Sequence, residues 1–142
     1  MVIPPSITDG GLTAKINGEQ LTFTANQVCL VQGGGFAVTA GMAGMTHNLQ
    51  VTVLNKNAVG SYTCKISPTS SGAGVSYLRP EAGTSVPYVS NALWGDCAIT
   101  ISKSAAASGE YFEGTFSAML TANGGGDVKY TVTDGYFKMK RP

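Results

Sequence analysis

Three runs between Cys97 and Lys140 alternate apolar and polar residues with a period of two, the rhythm of pleated strands with one dry and one wet face. In Ala98-Ile99-Thr100-Ile101-Ser102 the isoleucines share a side. In the run from Phe112 to Leu120 the inward set is Phe112, Phe116, Ala118 and Leu120, while Glu113, Thr115 and Ser117 point to water. Val128 to Thr133 repeats the pattern. Asp134-Gly135 then precedes Tyr136-Phe137-Lys138-Met139-Lys140, and Asp-Gly between alternating runs predicts a hairpin, because a type I′ turn requires positive φ at both central residues. A glycine bulge inside one continuous strand is the competing reading.

The same period recurs upstream. Leu12 to Ile16, Asn17-Gly18 and Glu19 to Thr24 form the clearest hairpin signal, with Leu12, Ala14, Ile16, Leu21 and Phe23 as its dry side. Val28–Val31 and Phe36–Ala40, separated by Gly33-Gly34-Gly35, predict a second hairpin. Gly41-Met42-Ala43-Gly44-Met45 is too rich in glycine for a helix and reads as a loop. Leu49 to Leu54 alternates again, and Asn55-Lys56-Asn57 turns the chain toward Ser61-Tyr62-Thr63-Cys64. Between Ser67 and Asp96, Pro68, Pro80 and Pro87 bracket two short runs around Tyr77 and Tyr88, which proline would confine to sheet edges or long loops. Nine to eleven short strands without a helical segment predict an all-β, antiparallel β-sandwich, with a barrel as the alternative.

At 142 residues the chain holds one core. Residues 1–10, with Pro4 and Pro5, carry no periodicity and read as an N-terminal arm or tether, so the β-sandwich domain is assigned to 11–142. Only 12% of residues are charged against about 25% in ordinary domains, and formal net charge is +1. Such a balance provides no field to hold nucleic acid or anionic lipid. The local cluster Lys138, Lys140, Arg141 reads as a charged terminal strand that discourages edge pairing. No apolar run reaches the ~20 residues of a membrane-spanning helix. Met1 to Pro5 lacks the basic and apolar regions of a signal peptide, which leaves either an intracellular protein or an exported one whose leader is not in this sequence.

Cys64 is in phase with Tyr62 and Ile66, and Cys97 with Ile99 and Ile101, so both thiols are expected to face the interior. Two inward thiols on neighbouring strands predict a disulfide and an oxidising compartment; three reduced core cysteines are the alternative. Cys29 is then odd, a small buried hydrophobe.

Motifs for chemistry are sparse. A serine or cysteine nucleophile needs a base, and His47, the one histidine, reads as a surface or strand-capping residue. Three widely spaced cysteines and one histidine do not make a zinc set, and Asp96, Asp127 and Asp134 are too isolated for a calcium loop. Glu110 and Glu113 face opposite sides of a strand, and Gly124-Gly125-Gly126 lacks the lysine and helix of a phosphate loop. No catalytic residue, metal or cofactor is expected. One constellation remains: Tyr77, Arg79, Glu81, Tyr88 and Trp94 in the irregular segment 67–96, whose aromatic faces and polar groups suit a sugar or peptide. Packing of Trp94 and a tyrosine as a satellite core is the plainer reading.

The succession Ile-Asn-Gly-Glu-Gln-Leu-Thr-Phe-Thr-Ala from Ile16, Val59 to Cys64, Cys97 to Ile101, Glu113 to Ala118 and Thr131 to Phe137 resembles a family of uncharacterised bacterial exported and lipoprotein-like domains across residues 12–140. The resemblance implies a small β-sandwich, periplasmic or on the cell surface, touching the membrane only through an N-terminal lipid anchor that precedes the chain. Some members have cysteines where Cys64 and Cys97 fall, and none is placed opposite Cys29. The resemblance brings no activity. The reading that results is a non-catalytic exported structural or interaction module at the bacterial envelope, its partner a protein or glycan; the alternative is a glycan- or peptide-binding module using the aromatics of 67–96.

Overall fold

The computed structural model describes residues 10–32, 34–42, 47–53, 58–64, 73–79, 87–91, 95–122 and 126–142. These residues form eleven strands: β1 Gly11–Ile16, β2 Glu19–Phe23, β3 Ala25–Gln32, β4 Gly35–Gly41, β5 Asn48–Val53, β6 Gly60–Thr63, β7 Ala73–Leu78, β8 Pro87–Ser90, β9 Asp96–Lys103, β10 Tyr111–Ala122 and β11 Tyr130–Lys140. Two antiparallel layers result. The first has the order β2-β1-β11-β10-β9-β6 and the second β3-β4-β5-β7-β8. The arm at 1–9, the Asn55–Asn57 turn, Ala43 to Met45 and Gly124-Gly125 lie outside the described residues.

β10 joins the layers. Over Glu113–Met119 it pairs with β9, and at Thr121 and Ala122 it pairs with Val89 and Tyr88 of β8, so one strand belongs to both sheets and closes the sandwich like a barrel along that side. Gly95 sits at the seam with φ +70°, where a Cβ would stand 2.5 Å from the Met119 carbonyl and 2.9 Å from that of Val89. Only glycine satisfies both the left-handed backbone and the close approach of three strands.

The dry faces meet as the alternation requires. Leu12, Phe23, Val38, Leu49, Val51, Ile99, Ile101, Phe112, Leu120 and Phe137 are fully buried and belong to one core. Phe36 of the second sheet stacks on Phe112 of the first at 4.8 Å and 4°, and Tyr77 meets Phe23 and Tyr130 edge-on at 6.1 and 5.1 Å. The Asn17-Gly18 turn has φ +51° and +85°, as a type I′ hairpin demands. Its asparagine also ties the hairpin to β11, accepting from the Thr131 N–H at 2.8 Å.

Two expectations about strands are corrected. Asp134-Gly135 makes the bulge of the competing reading rather than a hairpin: β11 runs through it, and the pairing slips by one residue against both β1 and β10. Asp134 takes φ +51° as the extra residue of a bulge. At Gly135 a Cβ would lie 2.5 Å from the Phe116 carbonyl, so the glycine is there to let the neighbouring strand approach. The two runs expected at sheet edges or in long loops are paired strands instead, while Pro68 and Pro80 lie outside the described residues. β7 is paired on both sides, by β5 and β8, and Pro87 opens β8 at a position where its missing N–H removes no ladder bond from the strand interior.

Candidate binding face

The cysteines fulfil the expectation made for them. Cys64 and Cys97 form a disulfide with Cα atoms 5.2 Å apart, both buried, fastening the end of β6 to the start of β9. Cys29 is a free, buried thiol on the inward side of β3. Its pKa is raised by burial, against a smaller lowering by Arg141.

The aromatic constellation comes apart. Tyr77 is fully buried and packs edge-on against Phe23, His47 and Tyr130, so it is core and not a surface for ligand. Its phase with Ala73 and Val75 carried that information in the sequence. Tyr88 is half-buried against the Tyr130 ring at 5.3 Å, and Arg79 reaches Glu19 at 4.0 Å. Glu81 and Trp94 lie outside the described residues. His47 is buried beside Tyr77 rather than at the surface, because the residue leading into β5 enters the layer between the sheets. Among the described residues no three His, Cys, Asp or Glu side chains come together as metal ligands.

The outer face of the first sheet is more informative. Register places Thr22, Thr13, Tyr136, Thr115, Thr100 and Ser61 in one row across six strands, since each is the Cα partner of the next. Directly opposed residues bring their Cβ atoms within about 5.5 Å, so hydroxyls accumulate. Several satisfy one another: Ser61 and Thr100 Oγ atoms are 3.1 Å apart, and Gln20 Nε2 donates to Thr13 Oγ1 at 2.6 Å.

At Tyr136, in the middle of the row, the face is closed over. The Tyr136 hydroxyl donates to Glu113 Oε1 at 2.6 Å, and Lys103 Nζ lies 3.7 Å from Oε2 of the same carboxylate. Glu113, expected to point to water, is therefore largely covered, its side chain 17% exposed. Burial, then the hydrogen bond to Glu113, then that carboxylate's charge all push the Tyr136 phenol above its ordinary value. An unfolded tyrosine ionises near pH 10 while the folded phenol still holds its proton. The stability tied to Tyr136 is thus intact below about pH 10 and lost as pH rises beyond it. Urea unfolding at pH 9 to 11 should show a shallower alkaline loss in Tyr136→Phe than in the native protein; parallel curves would contradict the assignment.

The next row toward the other end is open. Thr63, Ala98 and Ser117 follow one another across β6, β9 and β10, with Thr133 beyond them on β11, and Asp96, Met119 and Thr131 form the row after that. Ala98 and Ser117 are short side chains, with Thr63, Met119, Thr131 and Thr133 around them. The result is an open trough of about 420 Å³, continuous at Ala98 and Ser117 with a shallower hollow reaching Asp134. That volume falls within the range of roughly 300–1,000 Å³ for ligand sites. Its lining includes the Ala98 methyl, the Met119 thioether, the hydroxyls of Thr63, Ser117, Thr131 and Thr133, and the carboxylate of Asp96, while Asp134 lines the adjoining hollow. Sequence reading missed this trough, because alternation marks these residues as outward without saying which strands stand side by side.

Comparison with known proteins finds no matching family model, no matching curated protein and no matching solved structure.

Proposed function

We propose that the chain is a non-catalytic interaction module of an exported bacterial protein, held at the envelope through its N-terminal segment and binding a partner on the outer face of the first sheet. The observation that carries the compartment is the buried Cys64–Cys97 bond, since such bonds persist in oxidising surroundings and are rare where thiols are kept reduced. The sparsely charged, hydroxyl-rich surface and the resemblance to exported lipoprotein-like domains point the same way. The binding role rests on the trough, a concave feature of that face lined by residues from four strands.

The test is fractionation of the source cells with thiols quenched by an alkylating agent before lysis. The expected result is protein in the periplasmic or surface fraction with Cys64 and Cys97 protected from the reagent. A cytoplasmic pool with both thiols alkylated overturns the reading.

A further inference from the structure

We propose that the trough receives a lysine or arginine side chain presented by an extended segment of a partner protein, a subsite that rests on the interaction role given above. Charge is the first argument. Asp96 lines the trough and Asp134 its extension, and among the described residues no lysine, arginine or histidine lines either. Asp134 is held by Lys15 at 3.5 Å, which leaves Asp96 as the carboxylate that faces an arriving cation. Lys129, close along the chain to Thr131, has its ammonium 5.9 Å from the centre of the Tyr130 ring.

The floor supplies the second. A lysine or arginine stem lies along apolar surface while its charged head reaches a polar edge, and Ala98 with Met119 offers that surface beside Asp96. Charge-assisted bonds to a carboxylate are the strong class of hydrogen bond, and the neighbouring hydroxyls of Ser117 and Thr131 accept the remaining donors. Among the described lining residues the charged groups are carboxylates, which repel an anionic ligand. Among the described residues no aromatic ring lines the trough for a sugar to stack on. The backbones of β9, β10 and β11 are already paired with their neighbours in the sheet, so no strand can be added between them and recognition over that part of the trough runs through the side chain.

The probes are acetylated, amidated heptapeptides of alternating threonine and valine with lysine, arginine, norleucine or glutamate at the centre, and spermidine as a free amine. They are titrated into the whole chain and followed by amide chemical shifts. Lysine and arginine peptides should shift Ala98, Ser117 and Thr131 and bind about tenfold more tightly than the norleucine and glutamate peptides, with affinity falling as salt is raised. Asp96→Asn should weaken the lysine peptide several-fold, and Ala98→Phe, an outward substitution that fills the floor, should abolish binding at unchanged melting temperature.

Equal binding of all four peptides, shifts elsewhere, no binding at all, full affinity in Asp96→Asn, or spermidine binding as tightly as the lysine peptide each overturns the proposal. Failure here is separable from failure of the broader role. Envelope localisation with no peptide selectivity removes the subsite alone, whereas selective peptide binding by a protein found reduced in the cytoplasm removes the exported role and leaves the subsite.

Discussion

Replacing Cys64 and Cys97 together by alanine should lower the free energy of unfolding by about 3.5–4 kcal/mol, the chain-entropy value for a loop of this length; the sequence separation is 33. The bond restrains the unfolded chain across the whole of 64–97, a stretch that contains β7 and β8. It also anchors a short strand. β6 has four residues and pairs only with β9 among the described strands, so little else holds it in the sheet. Both sulfurs are buried, and the alanines leave a void that adds to the loss. Urea unfolding followed by circular dichroism measures the effect, and a change below about 1 kcal/mol would show that the crosslink contributes little beyond strand pairing. In the same preparation Cys29 should alkylate slowly until the protein unfolds, because burial raises its pKa and limits access.

Phe112→Ala should cost about 3–5 kcal/mol, the range for truncating a buried phenylalanine. Phe112 is fully buried on β10 and stacks on Phe36 of β4, so its ring is a direct contact between the two layers. Phe36 also meets Phe137 of β11 at 5.8 Å, and removing the partner leaves a hollow that aromatic neighbours fill only by leaving their rotamers. Phe112→Leu, which keeps most of the volume, should cost less than about 1.5 kcal/mol. Similar losses in both variants would mean that ring stacking, rather than filled volume, holds the layers together.

Much of this architecture was legible along the chain. Leu12, Ala14 and Ile16 alternate with polar neighbours, Asn17-Gly18 can take the two positive φ angles of a tight hairpin, and Cys64 and Cys97 fall in phase with buried neighbours. These are local matters of pleat and turn. Asp134-Gly135 shows the limit of local chemistry, since the same dipeptide serves a turn or a bulge. What selects the bulge is the register β1 and β10 impose on β11 from both sides. Tyr77 shows it again: its alternation with Val75 placed it inside, but the irregular, proline-bearing surroundings argued for a surface.

The sequence by itself determined which residues turn inward, because side-chain direction along a strand follows from a period of two and needs no partner. Tertiary structure alone decided which outward residues become neighbours. Ser117 of β10, Ala98 of β9 and Thr63 of β6 line one trough only because those strands pair in that order and register. Strand order is settled by how the dry faces pack and by the pairing of β10 with β9 of one layer and β8 of the other, and no short stretch of the chain encodes either.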